Sequence, residues 1–475
     1  MKLYEKLAED IAQSIRTGTL RRGEKLPSVR QASEARAVSP ATVYQAYYLL
    51  EARGLIRGKE RSGYFVIAGS HEALPEARVT AQLSGEKQML DVSSLIFSIL
   101  ESGHRDMVPL GFAFPCPTLF PMGRLAACMS QSLPQLDPWN TIDDLTPGSQ
   151  HLRRQIALRY LTMGMRVHPD DVLITNGALE ALNLALASVT QPGDTVVIES
   201  PAFYGALQAI ERMGLQALEV PSHPRDGIDL NALESAFRRH QPKACWLMSN
   251  FQNPLGSTIP EQNKQAIVAL ATQYGVTIIE DDVYGELYFT AERPLPLKAW
   301  DSEGIVIHCT SFSKSLAPGY RVGWALAGKH THAMIRQKLS TSLSTALPTQ
   351  EALATFLSKG YFDRHLQQLR HHLSVQQSAS LEMVQRYFPE GTRTSRPAGG
   401  YFLWLELPEP VDMLLIQRQA MAMGISITPG PMFSASRQFR NCMRLNTGHP
   451  LTRRHEQALK TLGQLISHAC GIESH

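Results

Sequence analysis

Residues 304–324 read GIVIHCTSFSKSLAPGYRVGW, in which a β-branched run leads directly to a single lysine, Lys314. Such a run is typical of a short buried strand, and the chain contains four more short apolar runs, most of them rich in β-branched residues: DVLIT, DTVVIES, KACWLMS and GVTIIEDD. Longer helix-compatible segments separate these runs, a rhythm that predicts an α/β fold with a mostly parallel central sheet. Because open sheets of this kind bind ligands at the carboxyl ends of their strands, Lys314 is predicted to lie in a ligand site.

The composition favours a large globular protein without a membrane span. The chain has 475 residues, of which 43% are hydrophobic and 19% are charged, and this length suggests two or three domains. No run of about 18 apolar residues occurs, and the first residues lack a secretory pattern. The six cysteines are scattered singly, which favours a reducing cytoplasm and argues against a disulfide framework or a zinc site. We therefore expect a cytoplasmic protein that holds no metal.

The first seventh of the chain is predicted to be a separate basic domain. Residues 1–67 contain 12 Lys and Arg against 7 Asp and Glu, whereas the rest of the chain is slightly acidic. An apolar repeat from Leu3 to Ile15, a helix cap at Ser28 and a helix start at Pro40 predict three helices. The following LIRGKERSGYFVI predicts a two-stranded hairpin, which completes a winged helix-turn-helix. The predicted division is this head at 1–67, a polar linker at 68–90 and the α/β body at 91–475.

The second and third helices of the head carry side chains suited to DNA. A helix-turn-helix inserts the start of its recognition helix into the major groove, so Ser39, Thr42 and Tyr44 are predicted to reach phosphates or base edges. Arg30 is predicted to contact the DNA backbone, and Arg61 in the wing to enter a minor groove or bind phosphate. Spacing alone also fits a small accessory domain with a solvated basic face.

The motifs of the head resemble the GntR family of bacterial winged-helix regulators. The matching elements are G-x-x-LPS-x-R, V-S-x-x-T-V and S-G-Y-x-V, spread over nearly the whole domain. The resemblance implies double-stranded operator DNA as a partner. Many family members carry an arginine where this chain has Pro40 or Tyr44, so the operator sequence does not follow from the resemblance.

The body offers a residue for each requirement of chemistry at the α-carbon of an amino acid. Such chemistry needs a lysine that forms an imine, an electron-accepting ring, an acid at the ring nitrogen, and donors for the ring oxygen and phosphate. Each candidate residue alone is more often structural than functional, so the prediction depends on their joint occurrence. The candidates are Lys314 for the imine; Asp281 for the ring nitrogen; Asn253 and Tyr284 for the 3′-oxygen; Phe203 for the ring face; Gly177, Ala178, Leu179, Ser311 and Arg321 for the phosphate; and Arg444 for an amino acid carboxylate.

The order of these motifs resembles the fold-type I aminotransferases of class I and II. The matching segments are NGALEAL, NFQNPLGSTIP, EDDVYGEL, SFSKSLAPGYRVGW and RLNTG, between about residues 150 and 447. The resemblance implies pyridoxal 5′-phosphate (PLP) as cofactor, covalently held by Lys314, with a substrate carboxylate at Arg444. Two positions depart from the family. Asp143 replaces a tyrosine that reaches the partner subunit's cofactor phosphate, and Ala113 replaces a glycine near the carboxylate site.

Head and body together resemble the MocR (PdxR-type) subfamily of GntR regulators, and LIFSILESGHRDMVPLGFAFPCPTLFP is similar to its YdcR-like branch. The resemblance implies a transcriptional regulator whose body senses PLP or a PLP–amino acid adduct and has vestigial or weak transaminase activity. It also implies a head-to-tail, domain-swapped homodimer, in which two heads span a two-part operator. Two alternatives remain open: a genuine aminotransferase with an incidental basic domain, and a simple GntR repressor with an inert body.

Overall fold

The structure is a computed structural model that covers most of the chain. The described residues are 3–17, 19–21, 23–52, 55–59, 63–66, 74–78, 93, 97 and 106–471. Arg61, the predicted DNA contact in the wing, lies outside them, so its role stays a prediction. Within these ranges no helix is long and apolar enough to cross a membrane, and no three His, Cys, Asp or Glu side chains cluster as metal ligands would.

Three helices and a hairpin form the head in the predicted order. They are α1 (Leu3–Arg16), α2 (Val29–Arg36), α3 (Pro40–Ala52), β1 (Ile56–Lys59) and β2 (Gly63–Val66). Ser28 begins α2 with a capping box. Its hydroxyl accepts from the Gln31 amide at 3.3 Å, and the Gln31 side chain accepts from the Ser28 amide at 3.0 Å. These reciprocal bonds satisfy two amides that the start of a helix would otherwise leave unpaired.

The core of the head forms where α1 packs against α3. Leu7, Ile11 and Ile15 recur every four residues along α1 and are buried, as the sequence repeat predicts. Val43 and Leu50 of α3 are fully buried in the same cluster. Because a helix that buries one face must present the other, this packing directs the opposite face of α3 outward.

An eight-stranded sheet forms the centre of the body. Its strands are β3 (Val172–Thr175), β4 (Thr195–Ser200), β5 (Gln216–His223), β6 (Gly227–Ile228), β7 (Ala244–Leu247), β8 (Thr277–Asp281), β9 (Val306–Ser311) and β10 (Gly323–Leu326). Their spatial order is β3-β10-β9-β8-β7-β4-β5-β6. The strands β5, β4, β7, β8 and β9 are mutually parallel, whereas β10 runs antiparallel to both of its neighbours and β6 to β5. This arrangement confirms the predicted α/β fold with a mostly parallel central sheet.

A smaller antiparallel sheet lies beside the large one. Its strands, in spatial order, are β11 (Arg393–Thr394), β12 (Phe402–Glu406), β14 (Cys442–Asn446) and β13 (Thr428–Pro429). Buried residues of both sheets, among them Ile198, Trp246 and Trp404, belong to one apolar cluster. The loops that follow the parallel strands therefore end next to β12 and β14.

Residues 74–78 lie within the segment predicted as a linker, but they attach to the edge of the small sheet. The Ala77 amide donates to the Thr394 carbonyl at 3.1 Å, and the Thr394 amide donates to the Pro75 carbonyl at 3.0 Å. Ala77 is buried in the body. Part of the predicted linker is thus an extension of the body, because its backbone finds hydrogen-bond partners there.

The helices of the body pack on the two sheets and on one another. They are α4 (Met122–Ser132), α5 (Asn140–Asp143), α6 (Gln150–Thr162), α7 (Ala178–Val189), α8 (Tyr204–Arg212), α9 (Leu230–His240), α10 (Glu261–Tyr274), α11 (Thr331–Thr341), α12 (Leu347–Ser358), α13 (Tyr361–Tyr387), α14 (Met413–Ala422) and α15 (Arg453–Ala469). Short 3-10 helices cover Pro117–Leu119, Leu133–Gln135, Pro169–Asp171, Leu297–Trp300, Pro318–Tyr320, Gly328–His330 and Gly430–Phe433.

Candidate functional site

Loops at the ends of five strands of the large sheet converge on one pocket of about 310 Å³. Its lining includes nine predicted cofactor residues: Ala178, Leu179, Phe203, Asn253, Asp281, Tyr284, Ser311, Lys314 and Arg321. Two further predicted residues lie close by, Gly177 against Arg321 and Arg444 against Asn253. The parallel strands account for this convergence, because their carboxyl ends lie at one edge of the sheet.

The amine of Lys314 lies among protein atoms, although part of the side chain faces the pocket. Its Nζ donates to the carbonyl of Ala113 at 2.9 Å and lies 3.5 Å from the ring centroid of Phe114. Burial and the nearby Arg444 lower the pKa of Lys314 to about 7, and Arg321 acts in the same direction. The neutral amine is the nucleophile that attacks a carbonyl, so a lysine of this kind is reactive near neutral pH.

Asp281 ends β8 and its carboxyl group is enclosed by the protein. Burial raises the pKa of Asp281 to about 7, and the negative charges of Asp282 and Glu280 add to the effect. The Val283 amide, which donates to its Oδ1 at 3.4 Å, and the cation of Lys314 act in the opposite direction. A buried carboxylate is stabilised most by a cation beside it, since the pair offsets the lost hydration. A protonated ring nitrogen would supply that cation.

Arg444, on β14, is almost completely buried, with 1% of its surface exposed. Its Nη1 donates to Asn253 Oδ1 at 2.9 Å and its Nη2 to the Gly111 carbonyl at 2.8 Å, while Nε has no hydrogen-bond partner within the described part of the chain. The ring of Phe402 lies 4.2 Å from the guanidinium carbon. Because Asn253 uses its side-chain oxygen toward Arg444, its amide N–H groups remain for another acceptor, as the predicted 3′-oxygen role requires.

Aromatic side chains form one wall of the site. The ring of Tyr284 packs edge-on against Tyr401 at 5.5 Å, and the Tyr401 hydroxyl donates to the Ala113 carbonyl at 3.1 Å. Burial raises the pKa of Tyr284 above its ordinary value, so its phenol keeps a proton to donate. Phe203 is half-buried, lines the pocket and packs against Tyr204 at 5.0 Å.

The end of the pocket near Gly177 is built for an anion. Gly177 has φ of +83°, and a Cβ atom there would lie 2.5 Å from Nη2 of Arg321, so only glycine lets the guanidinium approach. Arg321 donates from Nη1 to Ser313 Oγ and from Nη2 to the Asn176 carbonyl, both at 3.2 Å. Gly177 is also the N-cap residue of α7, whose first amides have no partner within the helix.

Cation, hydroxyl and helix start fit a phosphate group, while Lys314, Asp281 and Asn253 fit the aldehyde, ring nitrogen and 3′-oxygen of PLP. The residues present therefore fit this cofactor. Their individual roles stay predictions.

Among the residues of the site that were not predicted from the sequence, four contact predicted ones or lie beside them. Ser313 and Tyr204 directly adjoin the predicted Lys314 and Phe203, and Tyr204 interacts with Arg444, so neighbouring motif positions could have suggested them. Phe114 and Tyr401 come from segments without a chemical motif. Only the folded chain brings them to the lysine.

The two family departures lie in different surroundings. Ala113 lines the pocket, and its carbonyl accepts from both Lys314 and Tyr401. Asp143 is exposed at the end of α5 and does not belong to the pocket lining. An exposed position suits the expectation that the corresponding family residue reaches a partner subunit.

Four of the predicted DNA contacts lie at the surface of the head, at least partly exposed. Ser39 Oγ accepts from the Thr42 amide at 3.1 Å and lies 2.8 Å from the Thr42 hydroxyl, so both residues cap the start of α3. Arg30 pairs with Glu34 at 3.0 Å, and the two side chains are 90% and 67% exposed. Tyr44 is exposed and lines a second cavity, between head and body.

Comparisons with known proteins match the whole chain. The family "Bacterial regulatory proteins, gntR family" matches residues 3–66, and "Aminotransferase class I and II" matches residues 145–455. The HTH-type transcriptional regulator YdcR of Escherichia coli strain K12 is 45% identical over 98% of this chain and 99% of its own. The regulator YjiR of the same organism is 37% identical over 99% of this chain and 100% of its own.

Solved structures match the body. LysN, the α-aminoadipate aminotransferase of Thermus thermophilus in complex with N-(5′-phosphopyridoxyl)-L-leucine, is 28% identical, with a TM-score of 0.72 over 83% of this chain and 96% of its own. The multiple substrate aminotransferase of Thermococcus profundus is also 28% identical, with a TM-score of 0.73 over 81% of this chain and 97% of its own. The class I and II family depends on PLP, which confirms the predicted cofactor class.

Proposed function

The chain belongs to the MocR-type subfamily of GntR transcriptional regulators, and from this premise we propose a DNA-binding regulator that uses PLP as its sensing group. One observation carries the proposal. A head whose recognition helix begins at an exposed end is joined to a body in which Lys314, Asp281 and Asn253 line a single pocket. A protein that binds operator DNA and is loaded with PLP would work in the cytoplasm.

The head would bind DNA through the starts of α2 and α3. The amide end of α3, capped by Ser39, favours a phosphate group, because the helix dipole is positive there. Arg30 would exchange its exposed partner Glu34 for phosphate at little cost, since exposed pairs contribute only about 0.3–0.5 kcal/mol. Thr42 would then face base edges or the backbone. Tyr44 lines the cavity between head and body, so its predicted DNA contact requires the head to move away from the body.

In the body each residue would hold one part of the cofactor. When bound, PLP supplies an aldehyde for a lysine amine and an electron-accepting ring. Lys314 would provide the neutral amine, Asp281 would keep the proton on the ring nitrogen, and Asn253 and Tyr284 would donate to the 3′-oxygen. Phosphate would be bound by Ser311, Arg321 and the turn at Gly177, Ala178 and Leu179, with Phe203 on the ring face.

Arg444 favours an amino acid as effector. A planar guanidinium binds a carboxylate with two parallel hydrogen bonds, and this one lies beside Asn253 at the inner wall of the pocket. Its cation is desolvated, so a carboxylate that replaced the Gly111 carbonyl as partner would be stabilised strongly. The proposed signal is thus PLP itself or its adduct with an amino acid.

A homodimer is supported by exposed apolar side chains. Leu179 and Leu339 are exposed on α7 and α11, which pack together, and Leu343 is exposed just after α11. Trp139 and Ile142 are exposed on and next to α5. Such side chains in water mark an interaction surface, and we propose a second copy in a head-to-tail, domain-swapped dimer as its partner. Sedimentation equilibrium would measure the mass.

The sensing function is tested by DNA affinity with and without cofactor. Fragments of the organism's genome that the protein itself captures serve as DNA, and affinity is measured by fluorescence anisotropy for the PLP-loaded protein, the PLP-free protein and Lys314→Ala. We expect PLP to change the affinity of the wild type and to have a smaller effect on Lys314→Ala. Equal affinities in all three would refute sensing, while DNA binding would stand.

A genuine aminotransferase is the second candidate, and the reactive environment of Lys314 favours it. The protein would be incubated with amino acids and 2-oxoglutarate. Sustained multiple turnover at ordinary enzyme rates would support an enzyme, whereas a single slow half-reaction would support a sensor. A repressor with an inert body predicts no visible absorbance band of lysine-bound cofactor at all.

A further inference from the structure

A chain of largely buried charged side chains begins at Asp282, the residue that follows Asp281. Asp282 is enclosed, and its Oδ2 accepts from Arg293 Nη2 at 2.5 Å. Its Oδ1 accepts from Asn250 Nδ2 at 2.8 Å. Arg293 in turn lies 3.7 Å from Glu286, measured from Nε to Oε1. Asp282, the neighbour in sequence of the acid predicted for the ring nitrogen, is therefore two ion pairs away from Glu286.

Glu286 is the centre of this cluster. Arg159 donates to both of its carboxylate oxygens at 2.9 Å, from Nε and Nη2. Arg370 donates from Nε to the Glu286 carbonyl at 2.8 Å, and its Nη2 lies 3.5 Å from Oε2. Burial alone would raise the pKa of Glu286, but Arg159, Arg293 and Arg370 lower it to about 2. The carboxylate is thus charged at any physiological pH, and the positions of its partners depend on one another.

Arg370 connects this cluster to the head. It belongs to α13, and its guanidinium carbon lies 3.7 Å from the ring centroid of Tyr288. Both side chains line a cavity of about 330 Å³ whose other wall includes Tyr44, Tyr48 and Glu51 of α3. The helices α3 and α13 pack against each other beside this cavity. The recognition helix of the head therefore contacts the body near the end of the charged cluster.

We propose that the interface between α3 and the body, where Tyr48 lines one cavity with Tyr288 and Arg370, transmits the occupancy of the PLP site to the DNA-reading end of α3. The inference rests on the proposed function, for which it names the route. Tyr48 lies in the C-terminal half of α3, and Thr42 lies in its first turn. Because a helix of this length moves as a unit, a displacement at Tyr48 also moves the end that faces DNA.

The coupling between the PLP site and α3 is electrostatic. A protonated ring nitrogen at Asp281 adds a cation one residue from Asp282, and in a low-dielectric interior this changes the balance between Asp282 and Arg293. Arg293 and Arg370 both lie next to the Glu286 carboxylate, so a change in the position of Arg293 also changes the position of Arg370 over the ring of Tyr288. The cofactor can shift the equilibrium between two conformations only by the difference in its affinity for them. Domain swapping would preserve this contact and change only which chain supplies the head.

The test removes the cation of Arg370 and compares it with a matched arginine on the same helix. Arg370→Met deletes the link, whereas Arg364→Met changes an exposed side chain of α13. Tyr48→Ala interrupts the same route from the head. Each variant is assayed for the visible absorbance of bound PLP and for the ratio of DNA affinities with and without PLP, on the captured genomic fragments.

We expect the wild type and Arg364→Met to show a PLP-dependent change of about fivefold or more, the lower end for allosteric coupling. Arg370→Met and Tyr48→Ala should bind PLP normally but change DNA affinity less than about twofold. If Arg370→Met and Tyr48→Ala both show the wild-type ratio of DNA affinities with and without PLP, the inference is overturned and the proposed function stands. If Arg370→Met does not fold, Tyr48→Ala decides.

A wild type without any PLP response would instead refute the proposed function. Hydrogen exchange then tests the inference separately. Addition of PLP should change the amide protection of α3 in the wild type and in Arg364→Met, but not in Arg370→Met. Unchanged protection of α3 in the wild type, or an equal change in Arg370→Met, would contradict the proposed route.

Discussion

The rate at which the cofactor-free protein captures PLP should rise with pH and level off just above neutrality. The amine of Lys314 reacts only in its neutral form, and its pKa is lowered to about 7. The neutral fraction is then about 9% at pH 6, about 50% at pH 7 and about 91% at pH 8, a rise of about tenfold that ends in a plateau. An ordinary lysine, with a pKa of about 10.4, would give a rise of about 100-fold and no plateau.

Two substitutions should move the midpoint of this profile in opposite directions. Besides burial, the cation of Arg444 lowers the pKa of Lys314, whereas the carboxylate of Asp281 raises it. Arg444→Met should therefore shift the midpoint upward and Asp281→Asn downward, each by about one pH unit, which corresponds to about 1.4 kcal/mol of interaction. The opposite signs separate an electrostatic cause from a general loosening of the pocket.

Stopped-flow absorbance of the lysine-bound cofactor provides the measurement between pH 5.5 and pH 9, on the order of seven points. Pyridoxal, which lacks the phosphate, is the control ligand, because a phosphate group itself titrates near a pKa of about 6. A rate that climbs log-linearly to pH 9 would refute the reasoning. So would shifts of the same sign in Arg444→Met and Asp281→Asn, since their charges are opposite.

Three other predictions concern single contacts. Ser28→Ala removes half of the capping box and should destabilise the head by about 1 kcal/mol, measured as the free energy of unfolding in urea. Gly177→Ala places a Cβ 2.5 Å from Arg321 at positive φ, so PLP affinity should fall at least tenfold, or about 1.4 kcal/mol, in an equilibrium titration; unchanged affinity would count against the phosphate site. Arg30→Ala should weaken DNA binding on every sequence and reduce the slope of log affinity against log salt by about 1, whereas an unchanged slope would mean that Arg30 does not contact phosphate.

The arrangement of the large sheet and most of the site could be predicted because both depend on local sequence. Most of the parallel strands are short apolar runs, and the residues that follow them meet at one edge whatever the intervening helices are. Lys314, Asp281 and Asn253 could be assigned to one pocket for this reason, together with the joint occurrence of their motifs. The small sheet offered no comparable local signal, so Arg444 was predicted from its motif and the resemblance.

Contacts that depend on backbone atoms or on distant segments could not be predicted. The carbonyl of Ala113 accepts from Lys314, which lies 201 positions further along the chain, and any residue would provide that carbonyl. The attachment of residues 74–78 to β11 also uses backbone groups, so their polar sequence indicated only a linker. The contact of Tyr48 with the body depends on how two domains meet. The hydrophobic pattern of neither domain indicates where the two domains contact each other.

The same pocket can support an enzyme or a sensor, because the two differ in how binding free energy is used. An enzyme directs it to the transition state, whereas a sensor directs it to one of two conformations. The resemblance places a tyrosine that reaches the partner subunit's cofactor at the position of Asp143, so we expect weaker catalytic support there, while Lys314 and Asp281 are retained. The charged cluster toward Arg370 begins at Asp282, the residue after Asp281. If Asp281 binds the ring nitrogen as proposed, its position next to this cluster favours the sensor.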